Sequence, residues 1–288
     1  LGLWADEQMD AWRWIVADAK AAGATMAVQL NHAGRKASTG CFSIGYEHES
    51  VPEEQGGWQI VGPSANAFGP LDKPRELTVD EIHAIVDRFR DAAWRAYDIG
   101  FDAVEIHAAH GYLLSQFLDP LINEREDEYG GSFKNRIRIL VEVVDAARSV
   151  IPDTMPVLVR VSATDWAAGG WDLDQTVDLA KVLKEHGVDL MDVSTGGMIP
   201  GVTIPVKPGY QVPFAEQVRS RAEIPTTAVG LITKPKQAKK ILKSGAADAI
   251  EIGRAALRDP NWPLRAAHKL GIPTEDAPYQ PQYVRGAY

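Results

Sequence analysis

The chain has 288 residues, of which 45% are hydrophobic and 24% charged, as in a folded protein with one large α/β domain or two small ones. Its formal net charge of −9 argues against binding to a nucleic-acid backbone, because domains that bind one are usually basic. No apolar run approaches the roughly 18 residues of a membrane-spanning helix, and no secretory signal is recognisable. The only cysteine, Cys41, excludes an internal disulfide and a zinc site of paired cysteines, and it is compatible with a cytoplasmic location.

Helix and strand patterns alternate along the chain. Helical patterns end at glycine or proline, and they cover residues 6–22, 78–99, 135–150, 174–186 and 235–244. Short apolar strands stand between them, reading "TMAVQL", "FDAVEIHA", "PVLVRVS", "VDLMDVS", "PTTAVG" and "DAIEIG". This order predicts a parallel sheet covered by helices. Six strands fit either an open doubly wound sheet or a (β/α)8 barrel that lacks two units.

Two long segments interrupt this alternation, residues 33–74 and 196–210. Each follows a strand end, which is where parallel α/β folds build their sites. The tail over residues 273–288 is rich in Pro, Tyr and Gln, and this composition predicts an extended arm rather than a helix.

Polar residues inside apolar strands are the first candidates for chemistry. Gln29 lies in the first strand, Glu105 in the second and Glu251 in the sixth. Arg160 interrupts "VLVRVS", where a buried guanidinium is costly unless it meets an anion or another acceptor. Arg160 therefore either binds a ligand or pairs with a core carboxylate such as Glu105.

The last two strands both end in glycine. Gly230 closes "AVG", and Gly253 with Arg254 closes "EIGR". Glycine lets backbone N–H groups approach a phosphate, and arginine adds a bidentate positive charge. In barrels the loops after the last two strands often form a phosphate site, so the pair predicts a phosphorylated cofactor.

His107, His110 and Tyr112 stand together where the second strand ends, in "EIHAAHGYLL". Three interpretations are open: a metal site, a proton-handling or anion-binding site, or aromatic packing. A metal site needs further ligands, which the sequence does not supply. Two imidazoles aimed at one oxygen would stabilise an oxyanion, and Tyr112 beside them could deliver a proton.

Four stretches carry a resemblance that covers nearly the whole chain: "QLNHAGRKAS", "GFDAVEIHAAHGYLLSQFLDPLINEREDEYGGSFKNRIRIL", "VLVRVSATDW" and "AVGLI" with "EIGRAALRDP". They resemble the old yellow enzyme family, and within it the bacterial NADPH dehydrogenases and xenobiotic (ene) reductases. The resemblance implies a (β/α)8 TIM barrel that binds FMN and uses NADPH to reduce α,β-unsaturated carbonyl compounds. Quinones and nitro compounds are further substrates that it implies, and no metal is expected.

The resemblance also implies roles for matching residues. Gln29 would bind the pyrimidine edge of the flavin, Arg160 would lie by N1 and O2, and Gly230, Gly253 and Arg254 would bind the phosphate. In the same way, His107 and His110 would hold the substrate carbonyl, and Tyr112 would protonate its α carbon. Arg285 in the arm would reach the site of a neighbouring subunit, which implies a homodimer or homotetramer. "HAGRK" places Arg35 or Lys36 near the site.

The stretch that carries the first two strands of the family's barrel has no counterpart in this sequence. We therefore expect one FMN-binding barrel domain over residues 1–288 that lacks the first two strand–helix units, with a C-terminal arm over residues 273–288. Three other functions stay open: a related flavin demethylase or dienoyl reductase, an inactive or fragmentary barrel that only binds, and a metal-dependent hydrolase using His107 and His110.

Overall fold

The computed structural model describes residues 2–40 and 49–288. Cys41, on which the expectation about disulfides rests, lies outside the described residues. The helices, in chain order, are α1 (Met9–Ala21), α2 (Val79–Ile99), α3 (Leu113–Leu118), α4 (Phe133–Arg136), α5 (Arg138–Arg148), α6 (Leu173–Glu185), α7 (Val212–Ala222), α8 (Pro235–Ser244), α9 (Arg254–Arg258) and α10 (Trp262–Lys269). The strands are β1 (Ala27–Leu30), β2 (Val61–Gly62), β3 (Arg75–Glu76), β4 (Ala103–Ala108), β5 (Val157–Ser162), β6 (Leu190–Ser194), β7 (Thr226–Ala228) and β8 (Ala249–Ile250).

Six strands form one parallel sheet in the order β1-β4-β5-β6-β7-β8. They are the six that the sequence predicts. The order follows the chain without reversal, whereas a doubly wound sheet reverses its order at a switch point. The strand order therefore favours the barrel over the doubly wound alternative. β2 and β3 form a separate parallel pair within residues 33–76, which the sequence did not predict.

Local signals explain where the predicted helices begin and end. Thr78 Oγ1 accepts a hydrogen bond from Glu81 N–H, and the Glu81 carboxylate accepts one from Thr78 N–H, which completes the predicted capping box of α2. Gly100 ends α2 and Gly245 ends α8, both in the left-handed conformation. α8 has the predicted bounds.

The core lies between the sheet and its helices. Strand residues such as Val104, Val159 and Val193 are fully buried, and they belong to the same core cluster as Ile82 of α2 and Leu140 of α5. Because helices cover one face and side chains fill the other, the strands are apolar along most of their length.

Three features differ from the sequence-based expectations or were missed by them. α7 is a helix of 11 residues that the pattern did not indicate, and α3, α9 and α10 are also additional. The tail contains 3-10 turns at Thr274–Asp276 and Pro281–Gly286.

Among the described residues, no helix combines the length and apolar character needed to cross a bilayer.

Candidate active site

The parallel register lines up polar side chains on four neighbouring strands. His107 on β4 lies opposite Arg160 on β5, Arg160 lies opposite Asp192 on β6, and Asp192 lies opposite Thr227 on β7. On the other side of β4, Gln29 lies opposite Glu105. The C-terminal end of the sheet therefore gathers residues that are far apart in sequence, as parallel barrels do at their active faces.

His107 and His110 form a directed chain of hydrogen bonds. His107 Nδ1 accepts from Ala109 N–H at 3.1 Å, which leaves the ring proton on Nε2, 3.2 Å from His110 Nδ1. His110 Nε2 lies 2.8 Å from Ser194 Oγ, and that hydroxyl donates to the Val161 carbonyl. These contacts assign both rings as neutral Nε2–H tautomers.

Electrostatics keep the imidazole pair neutral. Burial is the largest cause that lowers the pKa of His107, to about 3, followed by His110 and Arg160. Burial also lowers the pKa of His110 to about 4, with further contributions from Arg160 and Lys36. Near neutral pH the two rings act as hydrogen-bond donors without a charge of their own.

Lys36 holds the backbone that carries His110. Its Nζ donates to the His110 carbonyl at 2.7 Å and to the Gly197 carbonyl, and it lies 3.9 Å from the centre of the Phe68 ring. His110 has a φ of 58°, a left-handed conformation that non-glycine residues rarely adopt. Burial, and then Arg35, lowers the pKa of Lys36 to about 8. Lys36 thus joins the loops after β1, β4 and β6.

Arg35 points away from this site, although the sequence could not choose between it and Lys36. It is 1% exposed, and its guanidinium donates to Asn66 and to the Met198 carbonyl. Arg35 therefore ties loops together, while Lys36 contacts the histidine segment.

Tyr112 packs against the His107 ring, and its role as an acid stays a prediction. Its ring centre lies 5.1 Å from that of His107, with the two planes at 88°. Tyr112 directly precedes α3, which begins at Leu113. His107, His110 and Tyr112 are therefore brought together at the end of β4.

Arg160 lies among three carboxylates beneath the histidines. Its Nε is 3.0 Å from Asp192 Oδ2, and its second terminal nitrogen is 3.2 Å from Glu251 Oε2. The alternative that Arg160 pairs with a core carboxylate is therefore realised with Asp192 and Glu251, while Glu105 accepts a hydrogen bond from the Gln29 side-chain amide. The arginine still has 21% of its side chain exposed, which leaves it accessible from the open end of the sheet.

The metal interpretation finds no support at the histidines. Within residues 2–40 and 49–288, the one group of metal-ligating side chains with suitable spacing is Glu105, Asp192 and Glu251. It contains neither His107 nor His110, and the Arg160 guanidinium already supplies a positive charge there.

The predicted phosphate-binding residues line one cavity of about 220 Å³. Gly230 and Gly253 lie on its wall with Arg254, and Arg258 one helical turn later adds a second positive charge. Gly230 has a φ of 113°, which requires glycine. Arg258 was not predicted, although its spacing of four residues from Arg254 on a short helix is visible in the sequence.

Residues 1–272 match the model of the NADH:flavin oxidoreductase / NADH oxidase family. The chain belongs to this family. An NADPH dehydrogenase of Listeria monocytogenes is 48% identical over 97% of this chain and 77% of its own length. One of Geobacillus thermodenitrificans is 46% identical over 99% of this chain and 78% of its own length.

Solved structures agree with this family. Morphinone reductase in complex with tetrahydroNAD has a TM-score of 0.73 and 32% identity, over 94% of this chain and 73% of its own. The old yellow enzyme homologue from Zymomonas mobilis has a TM-score of 0.74 and 30% identity, over 93% of this chain and 74% of its own. A 2-naphthoyl-CoA reductase has a TM-score of 0.83 and 25% identity, and this chain covers 42% of its length. The fold is accordingly of the (β/α)8 barrel type, and the chain is a flavin oxidoreductase that uses a nicotinamide nucleotide.

The side chains at the open end of the sheet fit FMN, the cofactor of this family. Two arginines and two glycines around one cavity suit a phosphate. The Arg160 side chain is 21% exposed, so its guanidinium can bind a further polar partner from the open end of the sheet. Gln29 is exposed on the edge strand. Contacts of Gln29, Arg160, Gly230, Gly253 and Arg254 with FMN remain predictions.

Asp192 is the site residue that sequence reasoning missed. It lies in "VDLMDVS", where it interrupts an apolar strand just as Arg160 does one strand earlier. The same rule would therefore have found it. Arg285 was predicted to act in a neighbouring site, and in this chain it is exposed in the second 3-10 turn of the tail.

Proposed function

We propose that this flavin oxidoreductase takes hydride from NADPH and reduces the carbon–carbon double bond of α,β-unsaturated carbonyl compounds. The observation that carries the proposal is the neutral imidazole pair with Tyr112 at the end of β4, on the same edge of the sheet as Arg160. The relatives named NADPH dehydrogenase support NADPH as the hydride donor.

FMN, when bound, supplies a two-electron carrier that receives hydride from NADPH and delivers it to the β carbon of the substrate. The chain itself provides the charge that this requires. Arg160 would lie by the pyrimidine edge of the flavin, and Arg254, on the wall of the cavity, would bind the phosphate. The two guanidinium groups would then orient the cofactor between two positive charges.

His107 and His110 hold the substrate oxygen. Hydride addition at the β carbon builds negative charge on the carbonyl oxygen, and neutral N–H donors stabilise that charge where it develops. An entering oxygen competes with His110 Nδ1 for the proton on His107 Nε2, and with Ser194 Oγ for the proton on His110 Nε2. Lys36 keeps the His110 backbone in place while this exchange occurs.

Tyr112 donates the proton. Its phenol lies beside the imidazole pair, and protonation at the α carbon completes the reaction. The substrate gains a hydride at the β carbon and a proton at the α carbon, so the product is the saturated carbonyl compound and the phenolate recovers its proton from water.

Quinones and nitro compounds belong to the same proposal, since their oxygens suit the same donors. A cytoplasmic homodimer or homotetramer is also part of it, with Arg285 in the tail as the residue that would reach a neighbour.

Isotope labelling tests the proposal. The FMN-loaded protein should convert 2-cyclohexenone to cyclohexanone, placing deuterium from labelled NADPH at the β carbon and deuterium from heavy water at the α carbon. A flavin-loaded protein that leaves every enone unchanged would rule out the reductase activity and favour a barrel that only binds. Stoichiometric bound zinc, together with a hydrolytic activity that a chelator abolishes, would favour the metal-dependent hydrolase instead.

A further inference from the structure

Three carboxylates and one guanidinium share the interior of the sheet below the histidines. Oxygens of Glu105, Asp192 and Glu251 all lie within 4.8 Å of one another. Arg160 contacts two of these residues, and Gln29 donates to the third. Three negative charges against one positive charge would leave this cluster with a net charge of −2. Repulsion between the carboxylates and the full burial of Asp192 disfavour that state.

Asp192 has an oxygen that lacks a hydrogen-bond donor. Its side chain is 0% exposed, and Thr227 donates to Oδ1 at 2.8 Å. Oδ2 receives no hydrogen bond, since the N–H of Arg160 Nε does not point toward it although the two atoms are 3.0 Å apart. A fully buried carboxylate oxygen without a donor is costly, and a proton between Asp192 and Glu251 would supply the donor.

We propose that Asp192 and Glu251 share one proton, and that this carboxyl pair is a positioning group that fixes Arg160 and couples proton uptake to flavin reduction. The inference rests on the proposed contact between Arg160 and FMN. It concerns the chain's own proton, which moves between water and the carboxyl pair while hydride transfer follows its separate course.

The electrostatics of the surroundings agree with a held proton. Burial, and then Glu251, raises the pKa of Asp192 to about 8, while Arg160 and Thr227 oppose the shift. Burial and Asp192 also raise the pKa of Glu105. Other titratable groups at this end of the sheet include His107, His110, Tyr112 and Lys36, and the two histidines are neutral. Arg254 and Arg258 line the same cavity as Glu251.

Reduction of a flavin beside Arg160 adds negative charge, which increases the proton affinity of the pair. With oxidised flavin the pair loses its proton as the pH rises through about 8, and with reduced flavin it keeps the proton to a higher pH. Two-electron reduction of the flavin is then accompanied by uptake of one additional proton from water at the carboxyl pair. In Glu251→Gln the side-chain amide donates to Asp192 Oδ2, so the shared proton and its uptake are both removed.

The first test measures the pair without FMN. Infrared difference spectra of the apoprotein between pH 6 and 10 are recorded in an Asp165→Asn background. This substitution removes a second carboxyl pair, Asp119 and Asp165, which are both 0% exposed. We expect a protonated-carboxyl band that disappears as the pH rises through about 8, and that is absent in Glu251→Gln. If the two spectra match, the proton-sharing proposal is overturned.

The second test measures the midpoint potential of the FMN-loaded protein against pH. Above pH 8 the wild-type potential should fall more steeply than that of Glu251→Gln by one proton per two electrons. This is a tenfold change in equilibrium constant per pH unit, or about 30 mV. Parallel slopes together with a titrating infrared band would contradict the coupling through Arg160 and leave the reductase function itself unaffected.

Discussion

The side chains at the end of β4 have three proposed roles: hydrogen-bond donation to the substrate, proton donation to it, and support of the backbone. His107 and His110 are neutral donors, Tyr112 is the proposed acid, and Lys36 supports the backbone of His110. Each role gives a different outcome on substitution.

Tyr112→Phe removes the proposed proton donor and leaves the imidazole pair intact. Because general acids contribute about 10²–10⁴-fold, we expect enone reduction to slow by at least about 100-fold. Flavin reduction by NADPH should change less than twofold, since no proton from Tyr112 enters that step. Stopped-flow measurement of the two half-reactions separates these effects, and equal slowing of both would remove Tyr112 from the proposed role.

Lys36→Met removes the two hydrogen bonds that hold the loops after β4 and β6. We expect kcat/KM for the enone to fall about tenfold, equivalent to about 1.4 kcal/mol in binding of the transition state. Lys36→Arg, which keeps the charge, is the matched control and should lose less. Steady-state kinetics that show no difference between Lys36→Met and wild type would contradict a positioning role.

The histidine pair should stay neutral across the working pH range. With pKa values of about 3 and 4, both rings should keep the spectra of neutral Nε2–H tautomers from pH 5 to 9. Nitrogen-15 NMR of the imidazoles measures this directly, with His107→Asn and His110→Asn assigning the signals. A titration of either ring near pH 6.5 would show that burial does not exclude the charged form.

At the scale of elements, local signals fix helix ends and the sheet register fixes the site. Replacing Thr78 with alanine removes the side-chain acceptor at the start of α2, and loss of such a cap costs about 1 kcal/mol. We expect the free energy of unfolding to decrease by about that amount in urea. Thr78→Ser keeps the hydroxyl and should remain close to wild type; equal losses would attribute the effect to the methyl group.

Elements with strong local signals were predictable from the sequence, and those that depend on tertiary contacts were not. α8 begins at Pro235 and ends before Gly245, so both ends are visible in the sequence. α7 begins just after the irregular segment 196–210. It packs beside β7 and buries only a few residues, such as Val218, so its apolar pattern is weak. The short pair β2 and β3 has two residues in each strand, too few for a periodic pattern.

The same distinction applies to the site. Arg160 and Glu251 were visible as polar residues in apolar strands, but their pairing needs the register of the four strands from β5 to β8. The sequence suggested Glu105 as a partner of Arg160. In the structure Arg160 instead contacts Asp192 on the neighbouring strand β6, and Glu251. Sequence identifies which residues are unusual, whereas the sheet decides which of them meet.

At the scale of the whole molecule, a second buried carboxyl pair links the loops after β4 and β5. Asp119 and Asp165 are both 0% exposed, and Asp119 Oδ2 and Asp165 Oδ1 have no N–H donor. Burial, and then the hydrogen bond with Asp119, raises the pKa of Asp165 to about 9. The folded protein therefore holds a proton between about pH 4 and 9 that the unfolded chain releases.

Stability from this pair should decline as the pH rises, because unfolding releases the proton throughout that range. Asp165→Asn places an amide donor where the proton was, so the variant should gain stability over wild type as the pH rises from 6 to 9. Denaturant unfolding at each pH measures the difference, and Asp165→Ala is the control that leaves Asp119 without a donor. A difference between Asp165→Asn and wild type that is constant with pH would contradict a shared proton.

The central claim is that this chain binds FMN between Arg160 and the cavity lined by Gly253 and Arg254 and uses it to move hydride from NADPH to an enone. The most direct measurement is the visible absorption spectrum of the FMN-loaded protein under nitrogen. The account predicts that NADPH bleaches the flavin bands and that 2-cyclohexenone restores them. A flavin that NADPH does not bleach, or a protein that stays colourless after addition of FMN, would contradict it.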